Sequence, residues 1–285
     1  MKKAALIISV LLSIFHSSSY SQAIRPDTLK TPNVQAILYK GTGNKQPLLV
    51  GFGGSEGRNA WASKYWQKTR EEFIAKGYAV LAIGYFGLNG TPAILDRIAL
   101  EEVYAAIYLA KQQKGINADK IILMGGSRGA DLALLIASYY PDISGVIALS
   151  ASHAVFPGHT HHFTSSSWTY KGKELAFIPM NEAATPFLLK RDLRGTFEAM
   201  LQDSLAEQKA LIPVEKINGP ILLMAADKDE IIPAVDMGKK MINRLKAHQF
   251  NYSYELVIYE GGHAEPTRHF DRIFSFLLET LPPAP

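Results

Sequence analysis

The chain has 285 residues, of which 47% are hydrophobic and 20% charged, and it contains no cysteine. This composition is typical of a globular protein with a sizeable core, and it excludes a disordered or fibrous protein and any disulfide. The formal net charge is only +4 and no dense run of Lys and Arg occurs, so we do not expect nucleic-acid binding.

Residues 1–23 have the pattern of a secretory signal peptide. A basic start precedes an apolar run over residues 4–15, and the small residues Ser21 and Ala23 predict cleavage after Ala23. The apolar run is too short to span a bilayer comfortably. We therefore expect an exported mature protein, periplasmic or secreted, with no membrane span and a single domain over residues 24–285.

Apolar runs alternate with longer amphipathic stretches along the rest of the chain. Strands are predicted at residues 34–39, 47–52, 78–83, 120–124, 145–149, 220–225 and 252–259. Helices are predicted at about 60–75, 95–113, 128–140, 234–247 and 266–280. Such an alternation is typical of an α/β fold, in which a mostly parallel sheet carries helices on both faces.

One segment interrupts this alternation. Residues 150–219 contain no clear strand and are rich in His, Ser, Thr, Trp and Tyr. A connection of that length is usually functional rather than passive. We interpret its central part, about 152–218, as a cap insertion over the carboxyl edge of the sheet, where ligands bind in open α/β folds.

The sequence ILMGGSRGADLALL places Ser127 between a predicted strand and a predicted helix. Gly125 and Gly129 flank it in the pattern G-x-S-x-G, which is typical of a nucleophilic serine on a tight strand-to-helix turn. A side chain at either glycine would collide with the neighbouring elements, and the helix start provides N–H groups for a developing oxyanion. We therefore predict that Ser127 is a nucleophile.

A nucleophilic serine needs a histidine base and an acid that orients it, and in this fold the chain order is serine, acid, histidine. Three acids follow a predicted strand, and we favour Asp229, with Asp227 as a structural neighbour and Glu230 least favoured. His263 follows the last predicted strand on a glycine-bearing loop, which favours it as the base.

The oxyanion that forms on the substrate needs N–H donors from two places. One is the N–H of Arg128, directly after the nucleophile, and the other comes from a loop after an early strand. The loop GGSEG suits the second donor, which is the N–H of either Gly54 or Ser55. Because this loop lacks the lysine of a phosphate-binding loop, we expect no nucleotide cofactor.

Three histidines lie close together at positions 159, 161 and 162, in the sequence GHTHH. They have no helix-borne ligand pair or spaced carboxylate beside them, so the sequence predicts a polar loop rather than a metal site. Trp168 and Tyr170 fit either an acyl pocket or the packing of the cap.

With these residues in view, the chain resembles the C-terminal catalytic domain of acyl-CoA thioesterases and bile acid-CoA:amino acid N-acyltransferase, of the α/β-hydrolase fold. The resemblance lies in ordered stretches between residues 51 and 263, which include GGSEG, GYAVLAIGYFG, GGSRGADLAL, SASHAVFPG and IPVEKINGPILLMAADKD. It implies a triad of Ser127, Asp229 and His263. The acyltransferase members use a nucleophilic cysteine, which this chain lacks, so the resemblance implies the hydrolase branch.

We therefore expect a serine hydrolase that cleaves a small acyl ester or thioester through an acyl-enzyme. The predicted export favours a carboxylic ester or another thioester over acyl-CoA, which is cytosolic. Two alternatives stay open at this stage: an acyltransferase with a non-water acceptor, and a non-catalytic binding module on the same fold.

Overall fold

The computed structural model describes residues 26–283, so the predicted signal peptide lies outside the described residues. The described chain forms eleven strands: β1 Asp27–Leu29, β2 Gln35–Tyr39, β3 Gln46–Phe52, β4 Ala79–Gly84, β5 Ile98–Ala99, β6 Ile116–Gly126, β7 Gly145–Leu149, β8 Trp168–Tyr170, β9 Lys173–Glu174, β10 Ile221–Ala226 and β11 Tyr254–Tyr259.

Eight α-helices occur in the same part of the chain: α1 Gln67–Ala75, α2 Leu100–Lys111, α3 Arg128–Tyr139, α4 Thr185–Leu189, α5 Leu193–Met200, α6 Ser204–Ala210, α7 Ala234–Ala247 and α8 Phe270–Thr280. Within residues 26–283, none of these helices has the length and apolar character that crossing a membrane requires.

Eight strands form the main sheet, in the order β1-β2-β4-β3-β6-β7-β10-β11. The pairs β1–β2 and β2–β4 are antiparallel, and all the pairs from β4 to β11 are parallel. The carboxyl ends of six strands therefore meet at one edge. The residues that follow β3, β6, β7, β10 and β11 are brought together there.

Helices cover both faces of this sheet. Leu48 and Val50 of β3 pack in one core cluster with α2 and α3, whereas Leu49 packs in a second cluster with α1 and α8. Successive side chains of a strand point to opposite faces, so a strand buried on both faces is apolar throughout. The predicted α/β architecture is confirmed.

The helix predicted from about residue 95 begins only at Leu100, because Ile98–Ala99 form β5. Two other predicted helices also begin later than expected, because a 3-10 turn precedes each. Residues Ala60–Ala62 form the first turn, which the side chain of Asn59 caps, and α1 begins only at Gln67. Residues Glu265–Arg268 form the second turn, before α8. Each turn leads into its helix within a few residues, so the sequence pattern does not distinguish the turn from the helix.

The prediction that residues 150–219 contain no strand was wrong. Strand β8 pairs in parallel with β5 and antiparallel with β9, which makes a small second sheet. Strands of two or three residues are too short for an alternating pattern to be recognised.

The segment between β7 and β10 packs onto the carboxyl edge of the main sheet. Phe156, Ala184 and Met200 from this segment form one apolar cluster with Ala225 of β10 and Met237 of α7. This contact holds helices α4 to α6 beside the strand ends, where the cap insertion is predicted.

Candidate active site

Ser127 occupies a strained turn between β6 and α3. Its backbone angles are φ 52° and ψ −125°, in a region that residues other than glycine rarely adopt. The N–H of Ser127 donates to the Leu149 carbonyl oxygen at 2.8 Å, and its own carbonyl oxygen accepts from the N–H of Ala130 at 2.9 Å. The turn is thus fixed at both ends by the main chain.

The two glycines that flank the turn are required by close main-chain contacts. A Cβ at Gly125 would lie 2.1 Å from the carbonyl oxygen of Gly129. A Cβ at Gly129 would lie 2.3 Å from the carbonyl oxygen of Gly53. The steric reason expected for the G-x-S-x-G spacing is therefore present, and the second contact also joins the turn to the glycine loop after β3.

Asp229 and His263 come together at the ends of the neighbouring parallel strands β10 and β11. His263 Nδ1 lies 2.8 Å from Asp229 Oδ2. The other oxygen of Asp229 accepts hydrogen bonds from the N–H groups of Ile231 and Ile232, at 2.9 and 3.0 Å. The Asp229 side chain is fully buried. Its contacts with the imidazole and with the two N–H groups hold the carboxylate in one orientation.

The two competing acids have different partners. Asp227 accepts from the N–H of Gly261 at 3.0 Å and so supports the loop that carries the histidine. Glu230 accepts from the backbone N–H of His263 at 2.9 Å. Of the three acids, only Asp229 contacts the imidazole within the described hydrogen bonds.

Ser150 is a further site residue that the sequence did not reveal. Its hydroxyl donates to the carbonyl oxygen of His263 at 2.8 Å, and its φ of 49° is again in the left-handed region. Together with Glu230, it fixes the main chain of His263 on both sides. Its position directly after β7, at the shared edge of the sheet, is the signal that could have found it.

Ser127 and His263 line the same cavity of about 160 Å³, although no hydrogen bond joins the two side chains in residues 26–283. A second cavity of about 290 Å³ also reaches Ser127. Its wall is mostly apolar and largely comes from the segment between β7 and β10, through Phe163, Met180, Leu188, Leu193, Phe197 and Met200. Ser127 therefore stands where two cavities meet.

The glycine loop after β3 contacts the serine turn directly. A Cβ at Gly54 would lie 3.2 Å from Ser127 Cβ, so the loop backbone is close to the hydroxyl. The N–H of Gly54, however, already donates to Glu56 Oε1 at 3.0 Å. Ser55 lines the larger cavity beside Ser127. Of the two predicted loop donors, only the N–H of Ser55 has no hydrogen-bond acceptor among residues 26–283.

Arg128 has separate main-chain and side-chain environments. Its N–H belongs to the first residue of α3, next to Ser127. Its guanidinium is buried, donates to the Pro157 carbonyl oxygen at 2.9 Å and lies 3.5 Å from Asp131. Burial lowers the pKa of Arg128 and raises the pKa of Asp131 to about 6. The side chain thus joins α3 to the start of the cap segment.

The histidines of the GHTHH sequence have two environments. His161 and His162 are exposed, with ring nitrogens 3.1 Å apart. His159 lines the larger cavity, where burial, followed by the nearby Arg128, lowers its pKa to about 4. His159 is therefore uncharged at neutral pH and contributes to the wall of the cavity.

The fold is that of α/β hydrolases. An esterase from Pyrococcus furiosus superposes with a TM-score of 0.62 at 14% sequence identity, over 90% of this chain and 94% of that chain. A puromycin-hydrolyzing peptidase from Mycobacterium tuberculosis superposes with a TM-score of 0.61 at 15% identity, over 92% of this chain and 40% of that chain.

The family follows from the sequence of residues 100–266, which match the family described as BAAT / Acyl-CoA thioester hydrolase C terminal. This match covers more than half of the chain, and the protein belongs to that family. Acyl-coenzyme A thioesterase 1 from Rattus norvegicus is 24% identical over 66% of this chain. Acyl-coenzyme A amino acid N-acyltransferase 1 from Mus musculus is 22% identical, also over 66%. The chain covers 42% of the length of each.

Proposed function

We propose that the protein is a serine hydrolase that cleaves an acyl ester or thioester through an acyl-enzyme. The observation that carries this proposal is the arrangement at the carboxyl edge of the sheet. Ser127 stands on a strained turn, and His263, whose Nδ1 lies 2.8 Å from Asp229 Oδ2, lines the same cavity as Ser127. Membership of a family named for thioester hydrolysis supports the same chemistry.

In the proposed mechanism, His263 accepts the proton of the Ser127 hydroxyl while the serine oxygen attacks the acyl carbonyl carbon. Asp229 holds the imidazole in the required tautomer and stabilises its cation. The bond to the leaving group then breaks, and His263 returns the proton to the leaving oxygen or sulfur. Water, activated by the same histidine, finally releases the acid and restores Ser127.

The oxyanion of the tetrahedral intermediate accepts hydrogen bonds from the N–H groups of Ser55 and Arg128. The α3 helix begins at Arg128, so its free N–H groups and its dipole favour negative charge at this position. The hydrogen bond from Gly54 to Glu56 holds the loop that carries the other donor. Such preorganised donors stabilise charge without reorganisation during the reaction.

Covalent labelling tests the nucleophile. A fluorophosphonate probe is expected to label the wild-type protein, and the Ser127→Ala variant should not react. Ser55→Ala is the matched control, because it removes a hydroxyl beside the same cavity but keeps the backbone N–H. Labelling of Ser127→Ala at the wild-type rate would disprove the proposed role.

A substrate panel tests the reaction itself. Acyl-CoAs, aryl esters and lactones are each incubated with the protein, and release of the acid is followed with and without added amines or alcohols. We expect ester hydrolysis and no transfer product. Transfer to an added amine would favour an acyltransferase instead.

We also propose that the protein is exported after cleavage behind Ala23. The basis is the sequence pattern of residues 1–23. N-terminal sequencing of the protein from the extracytoplasmic fraction of an expressing bacterium is expected to begin at residue 24. Recovery of the intact N-terminus in the cytoplasm would disprove export.

A further inference from the structure

The two cavities that meet at Ser127 differ in their relation to the histidine. Ser127 and Ser150 line both cavities, whereas His263 lines only the smaller one. In the proposed function, on which this inference rests, the histidine must protonate the leaving group. The leaving group therefore occupies the smaller cavity, and the acyl group occupies the larger, apolar one.

Aromatic rings form one wall of the smaller cavity and continue to the surface. Trp61 is 4% exposed and stacks on Trp66, with ring centroids 5.1 Å apart and an interplanar angle of 11°. Tyr65 is 81% exposed and meets Trp66 edge-on at 5.2 Å. A leaving group that extends outward from Ser127 thus has aromatic faces along its path.

The charge in this cavity comes from one carboxylate. Apart from His263, Glu56 is the only ionisable side chain in the cavity wall that the structure describes, and no lysine or arginine of residues 26–283 lines it. Glu56 Oε1 accepts from the N–H of Gly54, and within the same residues no cation forms an ion pair with this carboxylate. Its negative charge therefore acts directly on a bound leaving group.

A carboxylate beside aromatic faces attracts cations and repels anions. We propose that the smaller cavity is a leaving-group site that selects for positive charge, so that esters with a cationic leaving group are cleaved faster than uncharged ones, and anionic ones slowest. Because Glu56 is solvent-exposed, the interaction is that of charges several ångströms apart near the dielectric constant of water. The expected ratio of kcat/KM between a cationic and an anionic leaving group is about tenfold.

Three phenyl esters with the same acyl group test this inference. Their phenyl rings carry a meta trimethylammonio, tert-butyl or carboxylate group, and each enzymatic rate is divided by the rate of reaction with imidazole, an uncharged nucleophile, to remove electronic effects. The wild-type protein should prefer the cationic over the anionic ester by about tenfold. In Glu56→Gln, which keeps an acceptor for the N–H of Gly54, this ratio should fall to near one.

Asp236→Asn is the matched control, because it removes an exposed carboxylate on α7 that does not line the cavity. It should keep the wild-type ratio. An equal ratio in the wild type and in Glu56→Gln, or a preference for the anionic ester, would overturn the inference while leaving ester hydrolysis intact. If neither these three esters nor any thioester is cleaved, the proposed function itself fails, and the inference fails with it.

A pair of thioesters gives an independent measurement. Thioesters of one acid with thiocholine and with 3-mercaptopropionate carry a positive or a negative charge close to the leaving sulfur. The thiocholine thioester is expected to be cleaved faster by the wild-type protein. A clear preference for the 3-mercaptopropionate thioester would overturn the selection against negative charge.

Discussion

The contact between the serine turn and the glycine loop predicts a large effect of one methyl group. A Cβ at Gly129 would lie 2.3 Å from the carbonyl oxygen of Gly53 and 2.8 Å from that of Phe52. Since real Cβ contacts are essentially never shorter than 3.0 Å, Gly129→Ala must separate α3 from β3 by about 0.7 Å. Both obstacles are main-chain atoms of a central strand and its loop, so neither can rotate away.

The magnitude follows from two opposing terms. Alanine within a helix stabilises by up to about 1 kcal/mol relative to glycine, and overpacking of a core costs about 1–3 kcal/mol or more. With two rigid obstacles we expect a net loss of about 2 kcal/mol, which lowers Tm by about 4–8 °C. Because the glycine loop also moves, kcat/KM for ester hydrolysis should fall at least about tenfold.

Gly126→Ala is the control for stability, since it adds the same methyl group on the other side of Ser127. Apart from Gly126 itself and its two chain neighbours, no described heavy atom lies within 4 Å of its added Cβ. Thermal unfolding followed by circular dichroism should therefore show a Tm close to wild type for Gly126→Ala and a lower Tm for Gly129→Ala. Equal Tm values for Gly129→Ala and the wild type would refute the steric argument.

Three further predictions concern individual acids of the site. In Asp229→Asn, the amide oxygen keeps the hydrogen bonds from the N–H groups of Ile231 and Ile232, so the amide NH₂ faces His263 Nδ1 and forces the wrong tautomer of the imidazole. Steady-state kinetics should show that kcat falls about 10⁴-fold. A loss below tenfold would contradict this role of Asp229. Glu230→Ala removes the acceptor for the backbone N–H of His263, so kcat should fall about tenfold at constant KM. Glu230→Gln keeps an acceptor and should have a kcat close to that of the wild type. A change in KM alone would count against a positioning role of Glu230. Burial raises the pKa of Asp131 to about 6 from 3.8, so the folded state retains a proton that the unfolded state releases between these values. Ionisation of Asp131 should thus lower the free energy of unfolding by about 3 kcal/mol as pH rises through this window, and urea titrations of Asp131→Asn at the same pH values should lack this contribution; identical pH slopes would contradict it.

Much of the fold could be predicted from the sequence because the sheet is parallel and buried. Strands covered on both faces are apolar throughout, so β4, β7 and β10 are recognisable as short apolar runs between helices. The strand ends of such a sheet share one edge. This geometry alone brings Ser127, Asp229 and His263 to the same place from distant positions in the chain.

The remaining features depend on distances that no sequence pattern contains. The three candidate acids lie within four residues, and only the folded structure distinguishes them. Asp229 contacts the imidazole of His263, Glu230 contacts the backbone N–H of His263, and Asp227 contacts the loop at Gly261. Likewise, Gly54 and Ser55 are adjacent candidates for the oxyanion donor. They differ because the N–H of Gly54 donates to Glu56. The sequence does not predict the small sheet of β5, β8 and β9, because its strands have only two or three residues.

The larger cavity has a consequence for how this fold can diversify. Its apolar wall is supplied mainly by the segment between β7 and β10. The serine turn is fixed by main-chain hydrogen bonds, and the main chain of His263 is fixed by the side chains of Ser150 and Glu230. In the proposed function, substitutions of the apolar side chains of α4 and α5 that line this cavity therefore reshape the space for the acyl chain. Arg194 of α5 has to be kept, because its guanidinium donates to the carbonyl oxygen of Asp229 at 2.8 Å. We therefore expect chain-length preference and catalytic activity to be separable in the proposed hydrolase: grafting the cap segment of one family member onto another, with Arg194 retained, should transfer the former alone.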